Sequence, residues 1–327
     1  MSKKTNLRIG LLTSGGDSAG MNAAIRAVVR TAIYHNIEIW GIERGYNGMI
    51  DNHMNPMTSR SVANIIQRGG TILKTARSKD FHTKAGRKKA YQNLKKNGIN
   101  ALVIIGGDGS FKGANFFSQE FDIPCIGIPG TIDNDMEGTD ITIGFDTAVN
   151  TAIYAIDKIR ETADSHDRLF IVEVMGRNSG CIALHSGIAT GAENVFIPEK
   201  KTDLKKFIYN LHQKEKRKKL VNLLIVAEGN QLGVYDLQKI INKEAKHMEV
   251  RICILGHIQR GGPPTCVERV IASRMGNAAI NELIKGNKNI MIGIINNKIA
   301  TTPLSKAVKS KETIEKDWTE LAKVLAT

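Results

Sequence analysis

Two carboxylates set two residues apart, Asp133 and Asp135, lie in the segment Pro129, Gly130, Thr131, Ile132, Asp133, Asn134, Asp135, directly after a short apolar run. In extended backbone, positions i and i+2 project to one side, so the pair would repel unless a cation or a basic pocket separates them. A magnesium ion bridging phosphate oxygens could use such a carboxylate, and a second one could accept the proton of an attacking hydroxyl. An Asx-turn accounts for one of the aspartates and leaves the other unexplained.

A second turn, Gly106, Gly107, Asp108, Gly109, Ser110, closes the run Ala101 to Ile105. Glycine on both sides of Asp108 lets backbone N–H groups wrap a triphosphate while the carboxylate faces a cation, and a helix-capping aspartate seldom needs both glycines. The Gly-Gly-Asp-Gly tetrad also occurs in lipid and NAD kinases, so it points to phosphoryl transfer without naming the acceptor. A third turn, Thr13, Ser14, Gly15, Gly16, Asp17, reads equally well as a phosphate loop or as a tight turn capped by Asp17 or Ser18. No Gly-Lys-Ser or Gly-Lys-Thr follows it, so Walker A spacing is absent.

Met175, Gly176, Arg177 and His257, Ile258, Gln259, Arg260, Gly261, Gly262 close further apolar runs. Arginine forks suit a phosphate dianion and a neutral histidine suits a sugar hydroxyl, although a satisfied core histidine is an equal reading of His257. Arg77, Arg168 and Arg251 are additional phosphate candidates, against the ordinary surface ion pair.

The elements that must position these residues alternate. Leu7 to Leu12, Ala101 to Ile105, Cys125 to Ile128, Leu169 to Val174, Leu223 to Ala227 and Ile252 to Leu255 read as buried parallel strands. Met21 to Tyr34 has helical period, with Arg26 and Arg30 opposite its apolar face; Val267 to Ile284 repeats it, with Val267, Val270, Ile271, Met275, Ala278 and Leu283 inward and Gly286 ending the helix. Asp203 to His212 and Asp236 to His247 predict surface helices. Strand and helix in alternation predict an α/β fold, with ligands at the carboxyl ends of the strands.

The 327 residues allow one large unit or two smaller ones, and 42% hydrophobic with 24% charged residues is ordinary for a soluble protein. No apolar run has signal or membrane-span length, which predicts a cytoplasmic protein without membrane association. Cys125, Cys181, Cys253 and Cys266 lack metal or disulfide spacing and read as small core residues. The net charge of +14 favours an anionic partner, yet with 5% aromatics and no basic stripe interleaved with rings, small phosphates fit better than nucleic acid. The run Lys214 to Lys219 is equally a solvated surface or an effector-binding segment.

Taken together, Ser-Gly-Gly-Asp at 14 to 17, Gly-Gly-Asp-Gly-Ser at 106 to 110, Pro-Gly-Thr-Ile-Asp-Asn-Asp at 129 to 135, Glu-Val-Met-Gly-Arg at 173 to 177 and Gly-His-Ile-Gln-Arg-Gly-Gly at 256 to 262 resemble, in order and spacing, the bacterial-type ATP-dependent 6-phosphofructokinase family. The resemblance covers nearly the whole chain. It implies two doubly wound, Rossmann-like three-layer domains with mostly parallel sheets: residues 1–143 plus 258–309 binding ATP, and 144–257 plus 310–327 binding fructose 6-phosphate. It further implies a homotetramer and ATP- and Mg2+-dependent phosphorylation of the sugar 1-hydroxyl, giving fructose 1,6-bisphosphate and ADP.

By the same resemblance, Gly16, Arg77, Asp108, Gly109, Ser110 and Gly113 match the ATP side, with Asp108 and Asp135 near magnesium. Asp133 matches the catalytic base, and Thr131 and Arg177 match groups supporting the transferring phosphoryl. Met175, Gly176, Glu228, His257 and Arg260 match the sugar-phosphate pocket, completed by Arg168 and Arg251 of a neighbouring subunit. Pyrophosphate-using relatives typically carry aspartate and lysine at the places of Gly109 and Gly130; both are glycine here, which favours ATP. Arg26, Arg30, Arg160, Glu193, Arg217, Lys218 and Lys219 match positions that hold an allosteric effector in some members. Departures fall there and in the first loop: Ser59 beside Arg60 where arginine is expected, Lys218 where glycine is usual, and Ala19 where proline is common. The alternatives are a same-fold kinase using pyrophosphate or another sugar phosphate, and a non-catalytic sugar-phosphate sensor.

Overall fold

The computed structural model describes residues 7–166, 168–216, 223–246, 248–309, 314 and 316–326. From the N-terminus run β1 (Arg8–Ser14), α1 (Met21–Tyr34), β2 (Glu38–Ile42), α2 (Gly45–Asp51), β3 (Met54–Pro56), α3 (Lys84–Lys96), β4 (Ala101–Gly106), α4 (Asp108–Phe121), β5 (Cys125–Thr131) and β6 (Ile143–Gly144). There follow α5 (Phe145–Ser165), β7 (Leu169–Val174), α6 (Cys181–Ala189), β8 (Asn194–Phe196), α7 (Leu204–Lys216), β9 (Leu223–Ala227), α8 (Val234–Glu244) and β10 (Val250–Ile254). The last elements are α9 (Cys266–Ile284), β11 (Ile290–Ile295), β12 (Lys298–Pro303), α10 (Leu304–Ala307) and α11 (Lys316–Leu325).

The chain divides into a unit of residues Met1–Ile132, Met136–Thr147 and Arg260–Lys311 and a unit of Asp133–Asp135, Ala148–Gln259 and Glu312–Thr327. Asp133–Asp135 group with the second unit.

The first unit is built on a sheet of order β12-β11-β5-β4-β1-β2-β3, with β6 paired to β5; its inner pairs are parallel, and β2–β3 and β11–β12 are antiparallel. Successive strand residues face opposite sides. Ile9, Leu11, Val103 and Ile105 join the core under α1 and α9, whereas Leu12, Leu102 and Ile104 join Met49, Leu94, Phe111 and Phe117 of α2, α3 and α4. Helices therefore cover both faces, which explains why the inner strands read as uninterrupted apolar runs.

The second unit holds a parallel sheet of order β10-β7-β9-β8. Phe207 and Leu211 of α7 and Val234, Leu237 and Ile241 of α8 bury Leu169, Ile171, Leu224 and Val226, while α6 packs on β8 and β9. The observed class is α/β with mostly parallel sheets.

Two sequence expectations need correction. Val267 and Val270 are 51% and 52% exposed, and Glu268 is buried in their place. The face of α9 that meets α1 runs through Ile271, Ala272, Met275, Ala279 and Ile280, and Gly276 lets the two helices approach, since its Cβ would lie 2.7 Å from that of Ala27. Cys125 and Cys181 are core residues, but Cys266 is exposed at the first position of α9.

Candidate active site

In the first unit, register brings three turns together. Ser14 pairs with Gly106, and Gly106 with Pro129, so the parallel strands β1, β4 and β5 release their chains side by side at one sheet edge. The Ser110 hydroxyl donates to Ser14 O at 3.0 Å, and Thr75 Oγ1 donates to Gly15 O at 2.7 Å. The second bond anchors the segment carrying Arg77, itself exposed, to the first turn.

Asp108 opens α4, where the first amides have no intrahelical acceptor, and its carboxylate is 3.3 Å from Lys112 Nζ. A Cβ built on Gly109 meets nothing within 4 Å, so no internal packing demands glycine there. Gly130 is different, because its Cβ would lie 3.0 Å from Ile105 and 3.1 Å from Met21. Gly113 also has a packing reason, with the Tyr46 ring 3.1 Å from where its Cβ would be.

Gly16 admits the Arg260 side chain. Arg260 Nη1 donates to Asp17 O at 2.9 Å, and a Cβ on Gly16 would come within 2.6 Å of that nitrogen. Thr131 ends β5; its carbonyl accepts from Thr142 Oγ1 at 2.6 Å, and its Cβ would lie 3.6 Å from a Cβ on Gly107.

Sequence reading missed Glu268. The pattern Thr265-x-x-Glu268 announces a capping box, and Thr265 Oγ1 does accept from Glu268 N at 3.1 Å. The Glu268 carboxylate does not close the box. Its Oε2 accepts from Thr147 N and Thr147 Oγ1, each at 3.1 Å, while Oε1 has no hydrogen-bond partner among the described residues. Burial pushes its carboxyl up to about 7, against the pull of hydrogen bonds from Gly144 and Thr147. Its Cγ is 2.8 Å from where a Cβ on Gly20 would lie, so this buried acid packs under the exit of the first turn.

In the second unit, the turn after β7 is held by side chains. Gly176 and Arg177 both have positive φ, 141° and 53°, and Glu228 Oε1 accepts from their amides at 3.3 and 2.8 Å. Gln259 Oε1 accepts from Met175 N at 3.3 Å. Arginine in the left-handed region is uncommon and persists where its surroundings hold it, as they do here. Asp133 is buried, at 3% exposure, and its Oδ2 is 3.8 Å from Arg177 Nη1. Asn134, also left-handed at φ 52°, turns the chain between Asp133 and the half-buried Asp135. Burial, then the charge of Glu228, push the neighbouring Glu173 carboxyl up. His257 is exposed, which removes the core-histidine reading.

Arg168 and Arg251 lie elsewhere. They stand at the amino ends of β7 and β10, and Arg177 follows the carboxyl end of β7. A six-residue strand spans roughly 20 Å, so neither arginine can share a ligand phosphate with Arg177 of the same chain. Instead both bind Glu249, which sequence reading also missed.

Of the effector candidates, Arg26 and Arg30 lie on α1 in the first unit. Arg160 and Glu193 lie in the second, where Arg160 Nη2 donates to Gly191 O at 3.0 Å. Arg217, Lys218 and Lys219 lie outside the described residues.

The model of the phosphofructokinase family matches residues 8–283. ATP-dependent 6-phosphofructokinase 2 of Bacteroides thetaiotaomicron is 52% identical over 322 residues, covering 97% of this chain and 98% of that protein. ATP-dependent 6-phosphofructokinase 1 of Thermus thermophilus is 51% identical over 319 residues, covering 98% and 99%. Among solved structures, phosphofructokinase from Saccharomyces cerevisiae superposes with a TM-score of 0.88 at 36% identity; the match takes in 92% of this chain but spans only 45% of the yeast chain. A pyrophosphate-dependent phosphofructokinase from Marinobacter aquaeolei shares the fold, with a TM-score of 0.83 at 22% identity over 98% of this chain and 92% of that one. The chain belongs to the phosphofructokinase family.

Proposed function

We propose that the chain transfers the γ-phosphoryl group of ATP to the 1-hydroxyl of fructose 6-phosphate, giving fructose 1,6-bisphosphate and ADP. The observation that carries this reading is the near end-to-end match, at about half identity, to proteins named ATP-dependent 6-phosphofructokinase. The site geometry supports it. The first unit offers glycine turns with open amides for polyphosphate: Gly16, Gly109 and the amide of Ser110, whose hydroxyl is already bonded, with Arg77 alongside and Gly113 admitting the Tyr46 ring. Asp133 is the base that receives the hydroxyl proton, and Thr131 and Arg177 support the transferring phosphoryl. Positioning and charge neutralisation supply most of the acceleration, with the base adding roughly 10²- to 10⁴-fold.

Asp108 and Asp135 are the carboxylates that would hold magnesium. Hard oxygen donors fit that ion, and one or two carboxylates suffice where substrate phosphates supply the other oxygens. When bound, magnesium supplies charge neutralisation at the phosphate oxygens. Met175, Gly176, Glu228, His257 and Arg260 are the residues assigned to the sugar phosphate, and Glu228 also holds the 176–177 turn. Arg168 and Arg251 reach the sugar phosphate of a neighbouring subunit in a homotetramer; their distance along the sheet from Arg177 supports that arrangement.

Further parts of the reading are a first unit that binds ATP, a second that binds the sugar phosphate, a cytoplasmic location, and an effector site including Arg26, Arg30, Arg160 and Glu193. Among the described residues, no helix is long and apolar enough to cross a membrane.

The test is Asp133→Ala. Turnover should fall by roughly 10²-fold or more while ATP affinity, read by calorimetry, changes by less than about threefold. Near-native turnover would remove the base assignment.

A further inference from the structure

The two arginines assigned above to a neighbour's sugar phosphate are held by one carboxylate. Arg168 Nε is 2.8 Å from Glu249 Oε2, and Arg251 Nη2 bonds Glu249 Oε1. The strands behind them are in register: Leu169 pairs with Val250 and Phe170 with Arg251, and Leu169 N donates to Glu249 O at 3.1 Å. Glu249 is thus fixed by backbone pairing next to Arg168 and two residues before Arg251. Its carboxyl lies below the ordinary range, first because of the Arg168 hydrogen bond and then through the charges of both arginines.

A fold-stabilising ion pair is the plain reading, and exposure argues against it. The Arg168, Arg251 and Glu249 side chains are 28%, 54% and 47% exposed, and pairs of this kind contribute about 0 to 1 kcal/mol. The pattern of donors used is more informative. Among the described residues, Arg168 spends Nε and Arg251 spends one terminal nitrogen, so each guanidinium keeps further N–H donors for a second anion. Without Glu249, two like charges on adjacent strands would repel and each would take a separate rotamer.

We infer that Glu249 is a positioning residue for fructose 6-phosphate: it sets Arg168 and Arg251 side by side so that their remaining N–H groups meet the 6-phosphate together. This rests on the assignment of the two arginines to that phosphate. Pre-ordering the forks lowers the rotamer cost of binding, so the effect falls on substrate binding and leaves the chemical step nearly alone.

The experiment compares Glu249→Ala, Glu249→Gln, Arg168→Ala and Arg251→Ala in the full-length protein by steady-state kinetics against both substrates, with sedimentation at the assay concentration. Glu249→Ala should raise the fructose 6-phosphate KM roughly five- to twentyfold, with kcat changed less than about twofold and the ATP KM unchanged. Glu249→Gln, which keeps one acceptor oxygen, should recover part of the loss. If the arginine variants raise the sugar-phosphate KM and Glu249→Ala does not, the inference is overturned while the phosphate assignment stands. If neither arginine variant raises it, the phosphate assignment itself fails. A KM rise that accompanies dissociation of the Glu249→Ala assembly would also overturn the inference.

Discussion

The turns of the first unit and the turn after β7 in the second, both proposed to hold an anion at a strand end, are built by different means. At 106–110 the work falls to backbone: the turn opens a helix, and Gly109 leaves free space where a side chain would stand. At 175–177 the backbone is bent into a conformation that arginine seldom adopts and is kept there by distant side chains, Glu228 and Gln259. A backbone cradle tolerates change around it but not on it. A braced turn fails when any brace is lost.

That contrast can be broken by substitution. The largest effect after loss of Asp133 is expected for Glu228→Ala, which removes the acceptor for both the Gly176 and Arg177 amides. Charged hydrogen bonds are worth about 1.5–3 kcal/mol each, so kcat/KM for fructose 6-phosphate should fall roughly 10²-fold with the ATP KM unchanged. Equal losses for both substrates would show that the brace is general scaffolding.

Gly109→Asp probes the cradle. Its Cβ enters open space, so the melting temperature should move by less than about 2 °C, while ATP binding weakens roughly tenfold through charge and crowding at the phosphates. Gly130→Lys should instead destabilise by roughly 1–3 kcal/mol, because Ile105 and Met21 already fill the space around its Cβ. Denaturant titration separates the two. Unchanged ATP affinity in Gly109→Asp would remove that residue from the nucleotide side.

A pH-dependent effect of similar size concerns Glu268. Its folded-state carboxyl is pushed from the ordinary 4.5 up to about 7, so the folded chain binds this proton more tightly than the unfolded one. The resulting stability is complete below about 4.5 and is lost as pH rises through about 7. Glu268→Gln, neutral at every pH, should gain on the wild type by roughly 1–3 kcal/mol between about pH 5 and about pH 8. A difference that does not vary with pH would show that Glu268 does not titrate in this range.

The same contrast explains what could be read from the sequence. Strands buried on both faces and turns made of consecutive residues leave local signatures, so β7, β9 and α1 fall where the pattern predicts and the five motifs stand out. Braces leave none. Glu249 and Glu268 are single acids whose partners, Arg168 and Thr147, lie 81 and 121 residues away in the chain. The phase of α9 was misread for the same reason, since a helix that buries a glutamate and exposes Val267 and Val270 contradicts the rule that apolar residues mark the inner face.

The central claim, phosphoryl transfer from ATP to fructose 6-phosphate, is tested most directly by a coupled assay of the purified protein with magnesium, offering ATP or pyrophosphate as donor, with Asp133→Ala as control. Turnover with ATP alone that collapses in the control is the predicted result. Turnover with pyrophosphate alone, or none with either donor in a folded protein, would contradict it.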